Sequence, residues 1–125
     1  MRWMSEKKIL LVDDAETILM MERIILGKSY VLVTAKDGEK ALAAAAAEKP
    51  DLIILDIVMP NMDGFEVCRR IRSDDNTKSI PIIMVTTKGD PNNVEKGFQA
   101  GCSDYLFKPI KSGELLSKVR EHLGE

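Results

Sequence analysis

Four consecutive apolar residues, Leu52-Ile53-Ile54-Leu55, run into Asp56 between Pro50-Asp51 and the turn-forming stretch Met59-Pro60-Asn61-Met62-Asp63-Gly64. A short apolar run without alternation reads as a strand covered on both faces, the kind found inside a parallel sheet. Open parallel sheets bind ligands beyond the carboxyl ends of their strands, which puts Asp56 at a site position by its place in the chain. The alternative is an Asp that merely starts a turn.

The rest of the chain repeats the theme. Lys8-Ile9-Leu10-Leu11-Val12 is a second doubly covered strand and runs directly into Asp13-Asp14. Ala15 to Leu26 reads as a helix with Ile18, Met21 and Ile25 on its apolar stripe, flanked by Met20 and Ile24 on one side and Leu19 and Leu26 on the other. That stripe is wider than one sheet-facing surface needs, which suits either extra core coverage or a partner surface. Tyr30 to Thr34 is a β-branched strand, Asp37-Gly38 turns the chain, and Glu39 to Glu48 is an alanine-rich helix fit for close approach to the sheet. Phe65, Cys68 and Ile71, with Val67 beside them, give a third helical stripe in which Cys68 is a small buried hydrophobe. Pro81 to Val85 is a strand ending in Thr86-Thr87. A short helix then runs to Ala100 with few apolar anchors (Val94, Phe98), and Gly101 stops it. Such a helix should be among the least stable elements. Tyr105-Leu106-Phe107 leads to Lys108-Pro109, and Ser112 caps a last helix with Leu115, Leu116, Val119 and Leu123 inside.

Five strands alternating with five helices predict an α/β, doubly wound, three-layer (βα)5 sandwich with a parallel sheet in the order 2-1-3-4-5, the flavodoxin-like arrangement. Residues 1–7 read as a loose lead-in, 8–123 as one domain and 124–125 as its end, with no linker or second domain in the sequence. A net charge of -2 and no basic block argue against direct nucleic-acid binding. No apolar run is long enough to span a bilayer, and the first residues lack the core of a signal peptide. Cys68 and Cys102 have no metal-ligand spacing and the lone His122 is near the end, which excludes a zinc site and favours a reduced, cytoplasmic setting.

Every strand but the second ends on a polar group: Asp13 and Asp14, Asp56, Thr86 and Lys108. Three carboxylates at one rim either raise a pKa or recruit a cation, and all-oxygen ligands suit Mg²⁺ or another hard divalent ion. A lysine and a hydroxyl facing them make a place for a phosphoryl group, and a carboxylate can attack phosphorus once charge is neutralised. No histidine base, Gly-rich first turn or P-loop accompanies them.

Together, Leu11-Val12-Asp13-Asp14, Leu55-Asp56 with Met59 to Gly64, Thr86, Gly101-Cys102-Ser103-Asp104-Tyr105 and Lys108-Pro109 resemble the receiver (response regulator) domain of bacterial two-component signalling. The chain is similar to its single-domain chemotaxis-type members from Lys8 to Leu123. The resemblance implies that Asp56 accepts a phosphoryl group from a phosphohistidine on a sensor histidine kinase or histidine phosphotransfer protein. It implies that Asp13, Asp14, Asp56 and the Val58 backbone carbonyl hold Mg²⁺, with Mn²⁺ as a substitute, and that Lys108 contacts the phosphoryl oxygens. Thr86 and Tyr105 become the switch pair, altering the surface of the fourth helix, fifth strand and fifth helix. Lys108-Pro109 is expected to be cis and Gly64 to be a structural position. The output goes to a downstream protein, to an attached output domain, or through a homodimer.

Position 87 is usually small in the family, so Thr87 is expected to narrow access to Asp56, while Val58 and Lys88 stand where the phosphoryl lifetime is tuned. An apolar Val58 orients no attacking water and predicts a long-lived phosphoryl state. The exposure of Leu19 and Met20 on the first helix is expected to favour docking of the phosphodonor. Two other classes compete. One is a binding module that kept the fold without the chemistry, against which the intact Asp13, Asp14, Asp56, Thr86 and Lys108 argue. The other is a Mg²⁺-dependent hydrolase, which needs a further acid/base and a cap for which 125 residues leave no room.

Overall fold

The computed structural model describes residues 6–87 and 91–125. Five strands, β1 (Lys8–Val12), β2 (Val31–Ala35), β3 (Leu52–Asp56), β4 (Ile82–Thr87) and β5 (Asp104–Lys108), alternate with α1 (Glu16–Leu26), α2 (Gly38–Glu48), α3 (Gly64–Ser73), α4 (Pro91–Ala100) and α5 (Ser112–Leu123). The sheet is parallel in the order β2-β1-β3-β4-β5, as the run lengths and spacings predict. The unalternating strands β1 and β3 are its interior: Ile9 to Val12 and Leu52 to Asp56 are all buried.

Alternate residues of each strand face opposite layers. Leu10, Val12, Ile53, Leu55 and Met84 pack with Ala41, Ala45, Val67, Cys68 and Ile71 of α2 and α3. Ile9, Leu11, Ile54, Ile83 and Val85 pack with Leu19, Leu26, Leu115 and Val119 of α1 and α5. Ala41 and Ala45 bring α2 close to the sheet, while Ala43, Ala46 and Ala47 face outward and supply helix propensity. No helix among the described residues is long and apolar enough to cross a membrane.

Local differences from the sequence reading have local causes. β2 is one residue later than expected, because Tyr30 N–H still bonds the Leu26 carbonyl of the preceding helix and the ladder opens with Val31 N–H on the Lys7 carbonyl. Gly38 is helical, since the Asp37 carboxylate accepts the Lys40 N–H at 2.8 Å and caps α2 from one residue earlier. Ser112 does not cap α5: it is the first helical residue, and Lys111 holds the cap position without a side-chain bond. In α1 the buried stripe is Leu19, Glu22 and Leu26, so Leu19 belongs to the core and is not a surface residue. Met20, Met21 and Ile24 are the exposed apolar side chains there, Ile24 at 74 %. The helix is turned relative to the stripe expected from Ile18, Met21 and Ile25 because seven apolar residues among the nine from Ile18 to Leu26 leave its inward face undetermined by hydrophobicity alone. Phe98 is likewise half exposed and not an anchor of α4.

Candidate functional site: an acidic crevice at the strand ends

The order of the sheet places β1 and β3 side by side and β4 beyond them, so their carboxyl ends share one rim. Asp13 follows β1 and keeps to the sheet through its N–H on the Ala35 carbonyl at 3.1 Å, and its Oδ1 accepts the Ala15 N–H at 2.9 Å. Asp56 is the last residue of β3. Asp13 is 2 % exposed and Asp56 4 %, whereas Asp14 stands in solvent. An oxygen of each lies within 4.8 Å of the others.

Lys108, at the end of β5, reaches across with Nζ 3.1 Å from Asp56 Oδ1 and 3.3 Å from Asp13 Oδ2. Among the described residues, one ammonium thus faces three carboxylates. Burial and then the charge of Asp13 push the Asp56 carboxyl up to about 6, against the pull of Lys108. Burial works against the Lys108 ammonium, but Asp56 and Asp13 outweigh it and hold its pKa above the ordinary value. The crevice is open, with a volume near 340 Å³, and is lined by Asp13, Asp14, Ala15, Asp56, Val58, Thr87 and Lys108. A cluster of hard oxygen donors that Lys108 offsets only in part fits a small divalent cation.

The backbone around Asp56 is fixed by the following turn. Gly64 N–H bonds the Ile57 carbonyl at 2.8 Å, and a Cβ on Gly64 would lie 2.4 Å from the Asp56 carbonyl oxygen. Only glycine allows that approach. Asn61 takes the left-handed conformation, φ 71°, within the same turn. The Lys108–Pro109 bond is cis, as the resemblance implies.

Thr86 is buried on β4, with an Oγ1 that has no hydrogen-bond partner among the described residues. Thr87 is exposed and lines the crevice. Val58 is 68 % exposed on the same wall. Tyr105, paired in register with Met84, is buried with its ring between those of Phe98 and Phe107 at centroid distances of 6.4 and 5.5 Å. Asp13, Asp14, Asp56 and Lys108 therefore come together, with Val58 and Thr87 at the mouth, while Tyr105 sits away from it toward α4. Lys88 falls outside the described residues, as does the lead-in before residue 6.

The sequence reading missed Glu22. It is 2 % exposed in the buried stripe of α1, its Oε1 has no hydrogen-bond partner among the described residues, and burial, then Asp13, raise its pKa to about 8. A charged residue interrupting the run Ile18-Leu19-Met20-Met21 and Ile24-Ile25-Leu26 was the available signal.

Comparison with known proteins agrees with this geometry. Residues 9–120 match the response regulator receiver domain family. The chain is 41 % identical over 114 residues to the response regulator PleD of Caulobacter vibrioides, covering 90 % of this chain and 25 % of that protein. It is 42 % identical over 115 residues to the alkaline phosphatase synthesis transcriptional regulatory protein PhoP of Bacillus subtilis, covering 91 % and 47 %. The chain thus spans a quarter to a half of these relatives. Among solved structures, a putative response regulator from Chloroflexus aurantiacus superposes with a TM-score of 0.92 at 37 % identity, covering 97 % of this chain and 100 % of that one. The receiver domain of the Pseudomonas aeruginosa sensor histidine kinase PA1611, solved with a magnesium ion coordinated in its active-site cleft, gives 0.89 at 31 %, covering 97 % and 100 %. The chain belongs to the response regulator receiver domain family, and its cluster of Asp13, Asp14 and Asp56 is the phosphoaccepting acidic site of a signalling switch, not the centre of a conventional enzyme.

Proposed function

We propose that Asp56 is the phosphoacceptor, and the observation that carries this is its position at the end of β3, bonded to Lys108 and beside two further carboxylates. An Asp56 oxygen attacks the phosphorus of a phosphohistidine; the P–N bond breaks, its electron pair stays on the imidazole, and an acyl phosphate forms. Asp13, Asp14, Asp56 and the Val58 carbonyl are the residues to hold Mg²⁺, or Mn²⁺ in its place. When bound, the cation neutralises charge on the phosphoryl oxygens. Lys108 releases its bond to Asp56 to meet a phosphoryl oxygen, Thr86 offers its hydroxyl to another, and Tyr105 follows Thr86.

The donor is a sensor histidine kinase or histidine phosphotransfer protein in the cytoplasm, with Met20, Met21 and Ile24 of α1 as its apolar footing. The output is a changed surface over α4, β5 and α5, read by a downstream protein, an attached output domain or a second copy. Residues 8–123 form the working unit.

Intact mass after incubation with acetyl phosphate tests the reading. The expected result is a gain of one phosphoryl group that needs Mg²⁺ and disappears in Asp56→Asn. A gain that survives the substitution, or no gain from either acetyl phosphate or a phosphohistidine protein, would overturn it.

A further inference from the structure

Just past α4 the chain is fastened to its surroundings by an arginine. Arg72, near the end of α3, donates from Nε to the Gly101 carbonyl at 2.8 Å and from Nη1 to the carbonyls of Ile80 at 2.6 Å and Lys78 at 3.0 Å. Its Nη2 reaches Ser103 Oγ at 3.3 Å. Gly101, with φ 109°, lies so close to the arginine stem that a Cβ there would stand 2.8 Å from Arg72 Cγ. The helix closes onto this point: Gly101 N–H and Cys102 N–H both bond the Gly97 carbonyl, at 3.1 and 3.0 Å, and Cys68 Sγ donates to the Ala100 carbonyl at 3.4 Å. The C-terminal end of α4 is therefore tied to α3 and to the loops before β4 and β5.

One turn earlier, α4 meets the sheet through a residue with no side chain. Gly97 is buried, and a Cβ on it would come within 3.0 Å of both Met84 Sδ and Tyr105 Cε2, and 3.3 Å of Cys102 Sγ. Glycine weakens a helix interior, so its place here is explained by the space and not by propensity. The Tyr105 ring lies directly against α4 main chain, and no flexible side chain stands between them to absorb a change in ring position. Met84, another of the neighbours, is two residues before Thr86 on β4.

We propose that Gly97 is the contact through which the position of the Tyr105 ring sets the tilt of α4, with Arg72 holding the fixed end of the helix. This deepens the switch reading above and names two positioning residues outside the acidic crevice. Packed interfaces pass on small displacements because they hold a few discrete arrangements and do not deform continuously.

Amide hydrogen exchange over residues 92–100 of the full, unphosphorylated chain tests the contact in a cycle of Gly97→Ala and Tyr105→Leu. Gly97→Ala alone should speed exchange by about threefold or more, despite its better helix propensity, and should slow it once the ring is gone. The exposed substitution Gln99→Ala should do neither. Additive effects in the cycle would overturn the contact; if Tyr105→Leu does not fold, unmoved Tyr105 ring resonances in Gly97→Ala would overturn it instead. Arg72→Met should expose the amides of Gly101 and Cys102, and unchanged protection there would overturn the fixed end. With acetyl phosphate and Mg²⁺, Gly97→Ala should load phosphate within about twofold of wild type, while the response of its α4 amides falls by roughly half or more. A normal response would overturn the coupling. Failure of the wild type to load would overturn the switch reading, leaving the cycle to decide the contact by itself.

Discussion

Asp56 carries a proton more readily than an exposed aspartate because it is buried beside Asp13, and the Lys108 ammonium between them does not offset that. Its neighbour at the crevice mouth, Val58, offers an apolar side chain where a polar one could hold water against the acyl phosphate. Val58→Asn should therefore shorten the phosphoryl lifetime by severalfold, measured as phosphate loss from the isolated protein; an equal or longer lifetime would refute the assignment. Glu22 makes a separate prediction. Its pKa in the fold, about 8, lies above the ordinary 4.5, so the folded state binds the extra proton. The stability this brings is complete below pH 4.5 and is lost as the pH rises toward 8. Glu22→Gln removes the titration. The variant should gain on wild type between pH 5 and pH 8 by roughly 1–3 kcal/mol in urea unfolding with chelator present, the order expected for a buried carboxyl. A constant difference across that range would place Glu22 in contact with water after all.

Among the elements, α3 depends on one backbone approach. The Gly64 position faces main chain at 2.4 and 2.8 Å, atoms that cannot swing aside as a side-chain tip can. Gly64→Ala should cost about 3 kcal/mol or more and should displace Asp56, so phosphorylation falls with stability. The helices also show where sequence stops being legible. Strands β1 and β3 were readable because their apolar runs are too short for a helix and end at once in polar or turn-forming residues, and their terminal aspartates were readable with them. The face of α1 was not: Leu19 and Met20 are neighbours of similar hydrophobicity, and tertiary packing alone decides that one is core and the other surface. Glu22 was hidden for the same reason, since a glutamate in an amphipathic helix is ordinarily placed outward. Gly97 was hidden because the space around it is set by Met84 and Tyr105, which only the packing of α4 against β4 and β5 brings beside it.

At the scale of the whole molecule, the sheet order gathers Asp13, Asp14, Asp56 and Lys108 at one end and the Arg72 tie at the other. Carboxylates that repel in the fold make that end a stabilising site for a cation, since a ligand bound only by the native state raises its stability with concentration. Mg²⁺ at about ten times its dissociation constant should add roughly 1.4 kcal/mol, seen as a higher Tm, and Asp14→Asn should blunt the rise. An equal rise in the variant would locate the cation elsewhere. Acid acts at the opposite rim. Burial alone would raise the Asp104 carboxyl, but bonds from His122 at 2.8 Å and Lys118 at 2.9 Å hold it below its usual range. The stability from those bonds is present above pH 3.8 and is lost as the pH falls through the lowered value.

The bond from the Tyr30 hydroxyl to the Glu125 side chain, 2.6 Å long, fixes the last residue beside the start of β2, on the rim away from the crevice. For anyone tethering the protein to a sensor surface or adding a fluorophore, that end is the one to use. An attachment there leaves the acidic mouth facing solution, open to a large phosphodonor, and a reporter so placed responds to the body of the domain without shielding its chemistry.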